Sequence, residues 1–149
     1  MEEKSKLRKR SWQASAPAAP FFRGLEKGEV RYQICAGCQA VQSTPRRACR
    51  RCRGTRLEWR RSAGRGVVYA ATRVEEPPLA ELRPLAPYTL AVVDLDEGAR
   101  LVGHAGPGVE IGTRVTVEFF AFAGRTLVRF RAEAGRAELA SAEMGSVPK

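Results

Sequence analysis

Two Cys-x2-Cys pairs followed by five short apolar runs predict a mainly β chain in two parts: a small four-cysteine ribbon, then a five-stranded barrel or sandwich. The pairs are Cys35/Cys38 and Cys49/Cys52, with ten residues between them, a spacing close to zinc-ribbon templates. The runs lie between residues 67 and 131 with turn residues between them, as a small all-β unit requires. A chain of 149 residues suits one domain plus a small module. Hydrophobic residues make up 44% of it but aromatics only 7%, so the core must be largely Val, Leu and Ala. No run of 18 apolar residues occurs, so no membrane-spanning helix is expected.

Residues 1–19 read as a flexible basic tail. Lys4 to Arg10 is charged, Ser11 to Pro20 is small and polar, and neither shows a hydrophobic period. No apolar segment follows the basic stretch, so a secretory signal is not expected, and a reducing cytoplasm is the expected setting. Residues 20–62 form the ribbon module. Pro20 suits the first turn of a short helix that ends at Gly28. Phe21, Phe22 and Leu25 make its apolar face, and a two-turn helix must dock to persist in water. Adjacent aromatics point about 100° apart on a helix. One ring can then close on the ribbon while the other meets a partner, or both can cover the ribbon's own core. Val30–Cys35 reads as a strand, Val41–Thr44 as its return, and Leu57–Arg61 as the closing strand.

Residues 63–133 form the second unit. Gly64-Arg65-Gly66 reads as a hinge, and Val67–Val74 as a strand. The loop over 75–87 holds four prolines and one helical turn near Leu79–Leu82. Tyr88–Leu95 is nearly all apolar and reads as buried on both faces. Asp96-Glu97-Gly98 is a turn, and Arg100–His104 pairs back. Val115, Val117 and Phe119, then Val128 and Phe130, alternate with polar residues as half-buried strands do. Residues 134–149 read as a second loose tail.

Four thiolates in this spacing suit a closed tetrahedral zinc site. Gly37 and Gly54 are expected to supply positive φ for the turns around the metal. Disulfides need an oxidising compartment, and a redox dithiol usually accompanies a βαβ unit. Iron uses the same four thiolates and stays open. A closed site leaves no position for a reactive water, so its role is to hold a ribbon too small to fold unaided. The sequence offers no evident catalytic group. His104 is a lone histidine in a strand, Asp94 and Asp96 belong to a turn, and no nucleophile or phosphate-binding motif occurs.

Net charge is +10 and unevenly spread. Nine arginines between Arg31 and Arg61 face one acid, Glu58. Such a patch either attracts phosphates or an acidic surface, or is the solvated face of an Arg-rich composition. Arg46, Arg47, Arg50 and Arg51 are its centre.

The parts also stand in a specific order. Phe21-Phe22-Arg23-Gly24-Leu25 precedes Cys35-x2-Cys38, Pro45-Arg46, Cys49-x2-Cys52 and Leu57-Glu58-Trp59. Gly64-Arg65-Gly66-Val67-Val68-Tyr69 and Tyr88 to Leu95 follow, then Leu101-Val102-Gly103 and Ile111-Gly112-x2-Val115-x-Val117. This order resembles the family called domain of unknown function 35, acyl-CoA-associated proteins with a rubredoxin-like zinc ribbon and an OB-fold barrel. The resemblance implies one zinc on Cys35, Cys38, Cys49 and Cys52. It also implies a non-catalytic accessory subunit that docks on a thiolase-like enzyme through Phe21, Phe22 and Leu25, and helps form its coenzyme A or acyl-CoA site. Arg46, Arg47, Arg50 and Arg51 are then candidate contacts for coenzyme A phosphates or an acidic partner. A thiolase cleaving an aromatic succinyl-CoA ester is the narrower expectation. The rival is nucleic-acid binding, which zinc ribbons, OB folds and positive charge also serve. Against it, the barrel has few aromatics on which bases could stack. Phe119 and Phe130 read as core, which leaves Tyr69, Tyr88, Phe120 and Phe122.

Overall fold

The computed structural model describes residues 16–134, so most of both expected tails lies outside them. The described chain is mostly strand and divides into two compact units, the second of which begins at Gly64.

The first unit opens with a 3-10 turn, Ala16–Ala18, that runs into helix α1, Ala19–Glu26, so helical structure begins four residues before the expected Pro20. Pro20 lies in the first turn, where its missing N–H costs nothing. The helix stops as expected at Gly28, at φ +72°. The Gly28 N–H donates to the Leu25 carbonyl (3.0 Å) and that of Glu29 to the Gly24 carbonyl (2.8 Å), the paired bonds of a Schellman cap. Leu25 is buried at 5% exposure. Gly24 is buried because Arg31 lies over it: a Cβ there would come 3.0 Å from the Arg31 side chain.

Strands β1 (Arg31–Cys35), β2 (Val41–Gln42) and β3 (Leu57–Arg61) form an antiparallel sheet in the order β2-β1-β3. The register places Ile34 opposite Val41 and Gln33 opposite Trp59. Gln33 and Cys35 are buried two residues apart, as strand alternation requires. The turn Glu97–Arg100 also belongs to this unit. Its Glu97 carboxylate accepts from the Ser62 hydroxyl (2.8 Å) and the Ala63 N–H (2.7 Å).

The second unit is a closed barrel of β4 (Arg65–Val74), β5 (Tyr88–Leu95), β6 (Arg100–Ala105), β7 (Arg114–Phe122) and β8 (Arg125–Ala132). Their order is β4-β5-β6-β8-β7. The joint between β6 and β8 is parallel, with His104 beside Arg129. This is a five-stranded OB-fold barrel, the narrower of the two architectures the sequence left open. Val68, Ala91, Val93, Leu95, Leu101, Val115, Val128 and Phe130 fill its interior. A closed barrel removes sheet edges and puts alternate residues inside.

That alternation corrects two expectations. Strand β5 is not buried on both faces: Ala91, Val93 and Leu95 are buried while Val92 and Asp94 are half exposed, because a one-layer barrel wall has an outer side. Gly66 is no hinge but a working position of β4, paired with Leu95 on one side and Val115 on the other. A Cβ at Gly66 would lie 2.3 Å from the Asp94 carbonyl oxygen, so β4 and β5 approach this closely only over glycine. Gly103 does the same for the core, where a Cβ would lie 2.9 Å from the Phe130 ring. A bulge between Val68 and Ala70 shifts the β4–β5 register at Tyr69, whose residue surface is 56% exposed. The proline-rich loop carries a 3-10 helix at Ala80–Leu85, near the helical turn expected at Leu79–Leu82.

Candidate metal centre

Two chain turns of the same construction bring the cysteines together. In the first, the Cys35 N–H donates to the Ala40 carbonyl (3.0 Å) and the Gln39 N–H to the Cys35 carbonyl (2.8 Å). In the second, the Cys49 N–H donates to the Gly54 carbonyl (2.8 Å) and the Arg53 N–H to the Cys49 carbonyl (2.9 Å). The two knuckles repeat each other bond for bond. Each turn is closed by a left-handed residue, but it is Gln39 at φ 61° and Arg53 at φ 63°, not the glycines expected. Gly54 serves a different end, since a Cβ there would press to 3.2 Å from the Cys52 sulfur, whereas one at Gly37 would meet the Cys35 sulfur at an ordinary 3.6 Å.

The four Sγ atoms lie within 4.8 Å of one another, and Cys35–Cys52 and Cys38–Cys49 stand at 3.6 Å. A tetrahedron with Zn–S bonds of about 2.3 Å has edges of roughly 3.8 Å, so the donor set fits zinc. Backbone N–H groups face the sulfurs. Cys35 accepts from Cys38 and Gly37, Cys38 from Ala40, Cys49 from Cys52 and Arg51, and Cys52 from Gly54. Such bonds favour thiolates. The Cys49 thiol is lowered to about 6, first by the Cys52 N–H and then, against burial, by that of Arg51. Cys38 goes the other way, to about 11. The Ala40 N–H lowers it, but burial and the neighbouring thiols of Cys49, Cys52 and Cys35 outweigh that bond. Without a cation, then, the cluster does not hold four negative charges. With zinc, it supplies four thiolates and a closed shell, whose chemistry is structural.

Two buried glutamines complete the centre and were not foreseen. Gln42, 2% exposed, donates to the Ala40 carbonyl (2.9 Å) and the Cys49 sulfur (3.4 Å) and accepts from the Arg50 N–H (3.1 Å). It ties one knuckle to the other. Gln33, 5% exposed, bonds the Arg46 N–H (2.8 Å) and carbonyl (3.1 Å), which holds the connection between knuckles against β1. Gln33 shares a strand face with Cys35, which is the only signal sequence offered. A polar residue in a two-residue strand such as β2 gave none.

Arg46, Arg47, Arg50 and Arg51 are all exposed around the second knuckle, and Arg53 and Arg56 join them. Phe22 is 45% exposed, and Phe21 is half-buried with its ring edge-on to that of Phe22 at 5.3 Å. Leu25 faces the interior of its own unit and is not available at the surface. His104 packs its ring against Tyr88 (4.7 Å) and Phe120 (5.4 Å), and Arg129 sits over Phe120. Burial, then the Arg129 charge, holds its imidazole below the ordinary value. Asp96 is paired with Arg114 through both carboxylate oxygens.

A four-cysteine ribbon with a five-stranded OB barrel defines a class of small zinc-ribbon proteins. Residues 22–58 match the ChsH2 rubredoxin-like zinc ribbon domain, and residues 59–120 match the ChsH2 C-terminal OB-fold domain. A DUF35 domain-containing scaffold protein of Methanothermobacter thermautotrophicus is 32% identical over 90 residues, 57% of this chain and 67% of that one. The chain belongs to the DUF35 family. A probable enoyl-CoA hydratase alpha subunit of Thermomonospora curvata is 30% identical over 103 residues, 66% of this chain. This chain spans only 32% of that subunit's length. Among solved structures, an Ltp2-ChsH2(DUF35) aldolase superimposes with a TM-score of 0.70 at 28% identity, covering 80% of this chain and 96% of that chain. No helix among the described residues is long and apolar enough to cross a membrane.

Proposed function

We propose that this chain is a non-catalytic, zinc-binding accessory subunit of a thiolase-like acyl-CoA enzyme. Similarity to the DUF35 chain of an aldolase along nearly its whole length carries the reading. The scaffold relative points the same way. The site chemistry agrees. The one metal centre among the described residues is a closed set of four cysteines, and His104 meets rings rather than a nucleophile. The subunit stabilises its partner in the cytoplasm and helps shape a coenzyme A or acyl-CoA site that the two chains share. Exposed Phe22, backed by Phe21, is the docking element. A thiolase acting on an aromatic succinyl-CoA ester is the narrower form of the proposal.

The test is to tag the full chain in its native cell, purify what accompanies it under mild conditions, and identify the enzyme subunit. That subunit, this chain and the complex are then assayed separately on acyl-CoA substrates, with and without free coenzyme A. The expected result is a stoichiometric complex, activity that needs the partner, and none in this chain alone. Coenzyme A-dependent cleavage marks the partner as a thiolase, and cleavage without it as an aldolase. Turnover by this chain alone that His104→Ala abolishes would overturn the reading.

A further inference from the structure

The bonds that build the metal centre also set where six arginines stand. Arg50 and Arg51 occupy the two positions between Cys49 and Cys52, and Arg53 follows with its backbone left-handed. Arg46 is pinned through its backbone by Gln33. The Arg56 guanidinium would lie 3.6 Å from a Cβ on Gly37, which puts it against the first knuckle. With Arg47, these residues form an exposed rim around the centre that reaches both knuckles.

Nothing in the surrounding described chain neutralises this rim. Residues 46–57 contain no acid. Among the described residues, none of the six has a carboxylate within 4.0 Å, whereas Arg31 meets Glu29 at 3.1 Å, Arg65 meets Glu133 at 2.8 Å and Arg131 meets Glu118 at 2.9 Å. A zinc tetrathiolate carries about two negative charges, too few to offset six guanidiniums. Holding the excess together is unfavourable through self-repulsion, so the compensating charge is to be sought outside the described residues.

We propose that this rim docks on an acidic protein surface of the enzyme subunit, an inference that rests on the accessory-subunit reading above. Guanidinium forks match carboxylates bidentately. Nucleic acid is the other large polyanion, and single strands are gripped by stacking aromatics set among the cations. Residues 42–58 contain no aromatic at all. The rim offers charge without stacking, which is what a carboxylate-bearing surface needs.

The experiment uses the full chain and the enzyme subunit that co-purifies with it. Affinity is measured at low and high salt for wild type, for Arg50→Glu/Arg51→Glu and for Arg46→Ala/Arg47→Ala, with zinc content as the check on folding. The second variant lies outside the Cys-x2-Cys loops and keeps the test valid if reversal disturbs the knuckle. The expected result is wild-type binding that weakens as salt rises. With zinc retained, the reversal variant should bind about tenfold or more weaker at low salt, and its salt dependence should flatten. Wild-type affinity in both zinc-loaded variants would overturn the acidic-surface proposal and leave the accessory reading intact. A wild-type chain that binds no enzyme subunit would instead overturn the accessory reading. A short single-stranded oligonucleotide that binds the wild type tightly and loses that binding in the same variants would assign the rim to nucleic acid and overturn the proposal.

Discussion

Cys38 and Cys49 show most plainly how single residues set the behaviour of this chain. One thiol sits at about 11 and the other at about 6, although they stand 3.6 Å apart in the same cluster. Near neutral pH the metal-free cluster therefore still carries at least one thiol proton. Zinc must displace that proton, so uptake should acidify a weakly buffered solution. Affinity should rise between about pH 6 and 8 by up to about tenfold per pH unit for each proton released. A competition titration with a zinc-binding dye measures this, and a flat profile would contradict it. Cys49→Ser should lose the metal and unfold the ribbon while leaving the barrel folded, as elemental analysis and circular dichroism would report. Iron in place of zinc would assign the centre to the other metal that four thiolates hold. The cysteines were legible in the sequence because metal geometry demands their spacing. Gln42 was not, because its place depends on how one knuckle folds over the other.

At the scale of elements, glycine contacts explain what pattern reading could not. The apolar run Tyr88–Leu95 reads as doubly buried because periodicity cannot tell a barrel wall from a sandwich core, and closure of the barrel decides it. Gly64-Arg65-Gly66 reads as a hinge because two glycines in three residues usually mark a flexible link. In the fold, Gly66 is where β4 is shared between β5 and β7. Gly66→Ala should therefore destabilise the barrel by about 1–3 kcal/mol. In thermal unfolding that lowers the melting temperature by roughly 5 °C or more, with zinc content unchanged. Gly103→Ala, crowded by Val128 and Phe130, should act in the same direction. An unchanged melting temperature in both would mean that the barrel yields more easily than this packing implies. Helix α1 was the more legible element, since Pro20 and Gly28 punctuate its ends.

The molecule as a whole, built around a closed metal centre and a filled barrel, is proposed to act by binding an enzyme. Phe22 is its most direct probe, because it is a large ring left 45% exposed on a short helix whose Leu25 is already buried in its own unit. Covering the exposed part of that ring contributes roughly 1–2 kcal/mol, about a 5- to 30-fold change in affinity. The decisive measurement is the affinity of wild type and Phe22→Ala for the co-purified enzyme subunit, both zinc-loaded. The expected result is tight wild-type binding, a loss of roughly 5- to 30-fold in Phe22→Ala, and an unchanged melting temperature for the free chain. Equal affinity for the two chains, or a Phe22→Ala chain that unfolds before it can be tested, would contradict the docking role. A wild-type chain that binds no enzyme would contradict the accessory role itself.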